Sequence, residues 1–223
     1  MDNFDEHTPI KAITPDNPWN VRYQAAGDAY LFGTEPNHFL VQHAPLFAPG
    51  SSALLVADGE GRNSVWLARR GLVVTALDIA PVAVDKAAQL AARNQVALNL
   101  IVGDMLAPDW PPASLHGTFD WVVGIFIQFA NAAARARQFT AMQQLTRPGG
   151  RILLQGYTPK QLDYRTGGPS VLENLYTPAL LRTAFAGWEI EDLAEYDTDM
   201  AEGTAHHGPS ALIGMVARKP AAT

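Results

Sequence analysis

The loop Ala57-Asp58-Gly59-Glu60-Gly61-Arg62-Asn63-Ser64 joins a short apolar run to a helical pattern. Two glycines at that junction let a backbone turn tightly and bring its amides against a ligand. The next apolar run ends in Leu77-Asp78, 19 residues beyond Gly59, and the one after it ends in Val102-Gly103-Asp104-Met105. A carboxylate at the second tip can accept hydrogen bonds from both hydroxyls of a ribose. One at the third can accept from an exocyclic amino group while Met105 offers an apolar face to a purine. Each aspartate alone is an ordinary turn former or helix cap. Together with the glycine loop, each after its own strand, they point to one adenosine-binding crevice.

The elements that must position these residues follow from the hydrophobic pattern. Runs at 53–56, 72–77, 98–102, 121–123 and 151–154 read as buried parallel strands. Helical spacing fills 62–70, 81–93 and 132–146, the last stopped by Pro148-Gly149-Gly150. This alternation predicts an α/β fold, an open doubly wound sheet with ligands beyond the carboxyl ends of its strands. Segments 188–196 and 209–217 are strand-like, and only the turn-rich 201–208 joins them. So short a link holds no crossover helix, so the two should pair antiparallel. Residues 1–18, with Pro9, Pro15 and Pro18, read as a loose arm. Residues 19–48 read as a helical lid segment whose second helix opens at Pro36, and 49–223 as a single domain.

With 48% hydrophobic and 17% charged residues among 223, the chain has the composition of an ordered globular domain. It has no cysteine, which removes disulfides, thiolate metal sites and a thiol nucleophile, and no metal site is expected. Sixteen basic against 22 acidic residues give a net charge of −6 with no basic cluster, a poor match for nucleic acid. The longest uncharged apolar stretch, 121–134, contains Gln128 and Asn131 and is too short to span a bilayer. Met1-Asp2-Asn3-Phe4-Asp5-Glu6 lacks the features of a secretory signal, so a cytoplasmic location is expected.

The residues by themselves admit two adenosine cofactors, a nicotinamide dinucleotide and S-adenosylmethionine. The loop and its spacing to Asp78 meet the dinucleotide fingerprint except at Ser64, where a third glycine or alanine belongs. Against that cofactor, Glu60 puts a carboxylate where a doubly charged pyrophosphate would lie. There is also no Tyr-x-x-x-Lys pair and no second substrate domain. A sulfonium cofactor carries no phosphate and tolerates nearby acids. An NAD(P)-dependent oxidoreductase on the same core and a non-catalytic nucleoside-binding sensor stand as alternatives.

The chain from Trp19 to Lys219 resembles class I S-adenosylmethionine-dependent methyltransferases, of the small-molecule kind that includes tellurite-resistance and thiopurine enzymes. The resemblance rests on Leu54 through Asn63, Ala76-Leu77-Asp78-Ile79-Ala80-Pro81, Gly103-Asp104-Met105, Phe119-Asp120-Trp121 and Arg147-Pro148-Gly149-Gly150. It implies a Rossmann-like sheet of seven strands ending in the reversed hairpin, and S-adenosylmethionine as cofactor, leaving as S-adenosylhomocysteine. It implies contact with the methionine part along Ala57, Asp58, Gly59, Gly61 and Asn63, the ribose at Asp78 and Ile79, and the adenine at Asp104 and Met105. Ile125 would lie near the sulfonium, and Arg22 could meet the cofactor carboxylate. Many members carry an acid two residues before the first glycine of this loop; this chain has Ala57 there, with Asp58 beside it.

The implied reaction is in-line transfer of a methyl group to a small-molecule acceptor, which the protein would align and shield from water. A thiolate or chalcogen oxyanion needs no proton removed; an amine or hydroxyl needs a base. Candidate bases are His206 and His207, although a surface position in the hairpin loop is the favoured reading of both. Gln128, Phe129, Tyr157, Tyr164, Arg165 and Tyr176 are candidate acceptor residues, the last three on a segment that could close as a lid. Ordinary packing accounts for the tyrosines too. If Asp78 holds the ribose, Asp78→Ala should weaken S-adenosylmethionine binding by about 1.5–3 kcal/mol in a calorimetric titration. An unchanged titration would remove the centre of this reading.

Overall fold

A computed structural model describes residues 17–203 and 206–222, with the His206 side chain outside the description. The expected arm at 1–18 therefore falls almost wholly outside the described residues. In chain order the elements are α1 (Pro18–Ala25), α2 (His38–Gln42), β1 (Ser52–Val56), α3 (Arg62–Arg69), β2 (Val73–Asp78), α4 (Pro81–Arg93) and β3 (Asn99–Val102). Then come β4 (Phe119–Ile125), α5 (Ala132–Leu145), β5 (Thr146–Tyr157), α6 (Gln161–Tyr164), α7 (Pro178–Ala184), β6 (Glu189–Glu202) and β7 (His206–Arg218).

The strands form one seven-stranded sheet in the order β3-β2-β1-β4-β5-β7-β6. β1 to β5 are parallel to their neighbours, and β7 runs antiparallel to both β5 and β6. The expected Rossmann-like sheet with its reversed last hairpin is what the chain forms. The order reverses at β1, whose neighbours are β2 and β4, and there the carboxyl ends leave a crevice.

Strand β1 shows why its sequence carries no polar alternation. Leu54 and Val56 pack into the core on one face of the sheet, Ala53 and Leu55 into the core on the other. Helix α4 starts with Pro81, whose missing N–H costs nothing at a first turn, and buries Ala83, Val84, Ala87, Leu90 and Ala91 along one stripe. Asn131 caps α5, its side chain accepting from the Ala134 N–H at 3.1 Å.

Two boundaries differ from expectation. Helix α2 opens at His38 rather than Pro36, because Asn37 is its cap and accepts from the Leu40 N–H at 3.2 Å. The segment expected as a turn at 201–208 is mostly strand: Ala201 pairs with His207 and Glu202 with His206. β6 is the edge strand, and of its 14 residues Glu189, Glu191, Asp192, Glu195, Asp197, Asp199 and Glu202 are acids while none is Lys or Arg.

On β7, a Cβ at Gly214 would come within 2.2–2.7 Å of the Phe39 ring, which clamps α2 to the sheet. Gly214→Ala should therefore cost about 1–3 kcal/mol of stability. Urea unfolding would show this as a lower midpoint with the slope preserved.

Candidate functional site

The three strand tips share one cleft. Ala57, Asp58, Gly59 and Asn63 line it from the first loop, Asp78 and Ile79 from the end of β2, Asp104 and Met105 from beyond β3, and Ile125 from the end of β4. Trp19 and Tyr23 of α1, with Phe32 and Gly33 of the following loop, form its outer wall. Ala57 and Phe126, the residues just after β1 and β4, adopt left-handed backbone with φ of 51° and 57°. Such angles in non-glycine residues cost about 1–3 kcal/mol and turn the chain off the sheet at the crevice.

The buried Asp78 carboxylate ties the site together. Its Oδ2 accepts from the Gly59 N–H at 2.8 Å and its Oδ1 from the Ala80 N–H at 2.9 Å. Burial raises its pKa, and these backbone donors pull in the opposite direction. Each oxygen keeps a second lone pair for a ligand. Asp58 is less well satisfied: Ser64 donates to its Oδ2 at 2.5 Å, while Oδ1 is buried without a partner. Burial pushes the Asp58 pKa up to about 7, with Asp78 adding like charge and Ser64 and Arg62 offsetting part of the effect.

Of the two loop glycines, Gly59 lines the cleft and Gly61, expected there too, does not; both are required by packing. A Cβ at Gly59 (φ +66°) would meet the Tyr23 hydroxyl at 2.7 Å, and one at Gly61 (φ +89°) would meet Ala87 of α4 at 2.7–2.8 Å. Glu60 also departs from expectation. Its buried carboxylate pairs with Lys86 Nζ at 2.8 Å and accepts from the Leu31 N–H at 2.7 Å. Its charge is thus answered by the protein, and the unanswered acid of the loop is Asp58 instead.

With this geometry in hand, the core can be compared with known proteins. Residues 53–150 match the family model described as a methyltransferase domain. This segment is similar to methyltransferase domains. The whole fold is similar to that of solved S-adenosylmethionine-dependent methyltransferases. A structure solved for the conversion of a disulfide bond into a thioacetal group during echinomycin biosynthesis is 18% identical, covers 92% of each chain and superposes with a TM-score of 0.75. TehB from Haemophilus influenzae is 17% identical over 90% of this chain and 67% of its own, with a TM-score of 0.66. A curated relative, Hemagglutinin 1 of Eikenella corrodens, is 28% identical over 84% of this chain; the chain spans 61% of that relative's length.

Several residues expected near the site lie elsewhere. Arg22 is not in the cleft wall; its guanidinium rests 5.3 Å from the centre of the Trp19 ring and 5.7 Å from that of Phe32. Gln128 is a buried clamp, donating to the carbonyls of Tyr157 and Asn174 at 2.9 and 3.0 Å and accepting from the Tyr157 N–H. Tyr157 is buried against Phe126 outside the cleft. Tyr176 belongs to the core, beside Phe139, so no lid can be hinged on it. Tyr164 bonds to Asp197, and Arg165 is exposed at the left-handed end of α6; neither lines the cleft. His207 is exposed on β7 away from it, and the side chain of His206 lies outside the described residues. Phe129 alone of the acceptor candidates lines the cleft, 39% exposed.

Sequence reasoning missed Trp19, Tyr23 and Phe32 as cleft residues. The spacing of Trp19 and Tyr23, four apart on a helix, was the available signal. The raised pKa of Asp58 gives a testable linkage. Across roughly pH 4–7 the native chain holds a proton there that the unfolded chain has released, so stability present below that window is lost as pH rises to about 7. Asp58→Asn keeps an acceptor for Ser64 and should flatten this slope. Denaturant unfolding at about pH 5 and pH 8 would show a smaller loss in the variant than in the wild type; equal losses would refute the assignment.

Proposed function

We propose that the protein moves the methyl group of S-adenosylmethionine to a small organic acceptor whose nucleophile is ionised without help from the protein, a thiolate on an apolar body fitting best. The observation that carries this reading is the division of the cleft. Asp58, Glu60, Arg62, Asp78 and Asp104 all come from the β1–β3 side, whereas Val123, Ile125, Phe126 and Phe129 on the β4 side are apolar.

The acidic half fits the cofactor. Asp78 would take the ribose hydroxyls on its remaining lone pairs, Asp104 the adenine amino group, and Met105 the purine face. The unpartnered Oδ1 of Asp58 is an acceptor for the cofactor ammonium, and ionised Asp58 and Asp78 balance its positive charges. When bound, S-adenosylmethionine supplies a methyl carbon already activated by positive sulfur; the C–S bond breaks as the acceptor's bond to that carbon forms. Trp19, Tyr23 and Phe32 exclude water from one side, and Ile125, Phe126 and Phe129 seat the acceptor.

The apolar half supports this acceptor class. Among the described residues lining it there is no imidazole, amine or carboxylate to remove a proton, which disfavours amines and hydroxyls. There is also no uncommitted cation: Arg62 is paired with Glu202. A strongly hydrated oxyanion of selenium or tellurium would meet aromatic faces with no counter-charge, whereas a thiolate, less strongly hydrated and carried on an apolar body, would lose less. A pyrophosphate would face the unsatisfied acid Asp58, which weighs against the dinucleotide alternative.

Incubation with S-adenosylmethionine and a panel of aryl and alkyl thiols, selenite, amines and phenols tests the proposal. Thiols should be methylated at rates that rise as pH passes the thiol pKa, and selenite and amines should not. Turnover of amines without thiols would overturn the acceptor class, and binding with no turnover would favour a sensor.

A further inference from the structure

Three distant parts of the chain meet at the carboxylate of Glu202, the last residue of β6. Arg62, at the start of α3 and in the cleft wall, donates to it from Nη2 at 2.6 Å. Asn37, fully buried before α2, donates from Nδ2 at 3.0 Å, and the His38 N–H donates at 3.3 Å. Asn37 also reaches Gln155 Oε1 of β5 at 2.7 Å, and its own N–H donates to Asn63 Oδ1, another cleft residue, at 2.9 Å. The Arg62 and Glu202 side chains are only 7% and 14% exposed, so this pair works largely out of water.

The next residue touches the outer wall of the cleft directly. A Cβ on Gly203 would lie 2.5 Å from the Gly33 nitrogen and the Phe32 carbonyl carbon, and 2.6 Å from the Leu31 oxygen. All three are backbone atoms, so they yield only if the loop moves. Phe32 and Gly33 line the cleft. The hairpin tip thus holds the outer wall by contact at Gly203 and by charge at Glu202.

We infer that the Glu202–Gly203 tip of the β6–β7 hairpin is a positioning element for the cofactor site, latching the 31–38 segment over the cleft through Arg62 and Asn37. A carboxylate suits the task because its two oxygens serve Arg62 and Asn37 together. A glutamine has one acceptor oxygen and would turn an NH₂ toward one of these donors. The inference rests on the cofactor reading above, and its test keeps the two apart.

The probe is S-adenosylhomocysteine, its binding and release followed by stopped flow with the full-length protein. Glu202→Gln should weaken binding at least tenfold, mainly through faster dissociation, because a loosened cover changes escape more than encounter. Gly203→Ala should speed dissociation by the steric route with every polar group in place. A purely structural role predicts a lower Tm with wild-type dissociation from the folded protein, and that outcome would overturn the inference. If either variant fails to fold, hydrogen exchange on the wild type decides. S-adenosylhomocysteine should protect amides in 31–38 and in 200–203 together, and protection of the first without the second counts against the latch. Wild-type protein that does not bind the probe would remove the cofactor reading, and the latch with it.

Discussion

The site depends first on one carboxylate facing two backbone amides. Asp78 closes β2 and holds the Gly59 and Ala80 N–H groups, joining the glycine loop after β1 to the turn that launches α4. Without that clamp the loop has no fixed stance beside the second strand, and the cleft loses its floor. A residue that reads as a ligand for a ribose is therefore also a structural tie. Removing it would alter the loop as well as the proposed ribose contacts, so both would contribute to any loss of affinity in such a variant.

Charge around the cleft divides into acids the protein satisfies and acids it leaves to a ligand. Glu60 is matched by Lys86 and Glu202 by Arg62, each at hydrogen-bonding distance and removed from water. Asp58 and Asp78 receive only neutral donors, and burial raises both pKa values. Two buried carboxylates held near one another, with no cation hydrogen-bonded to either, make a pocket that a positively charged ligand would relieve. The apolar half beyond β4 makes no such demand, which is why the two halves suit partners of opposite character.

The sheet and the acidic half were legible because they rest on local pattern. Strand runs, helix spacing and tip residues at Gly59, Asp78 and Asp104 each declare themselves within a few positions, and the crossover geometry then brings them together. What was not legible depends on partners far apart in sequence. Nothing near Glu60 announces Lys86, and nothing near Glu202 announces Arg62, 140 residues away. Gln128 falls after a strand, as site residues do, yet the chain folds segment 172–176 back over β5 and α5 and buries it together with Tyr176. Position after a strand marks the end of the sheet; it does not say which face of the following turn meets solvent.

The acidic edge strand β6 has a consequence for how this molecule behaves in company. Three of its seven acids pair with Lys or Arg of the same molecule, Glu191 with Arg151, Asp197 with Lys160 and Glu202 with Arg62. A second β6 approaching the bare edge brings only further carboxylates, and like charges set opposite one another repel. The long strand is thereby quiet at home and inhospitable to its own kind, so crowding alone does not knit neighbouring sheets into a fibre.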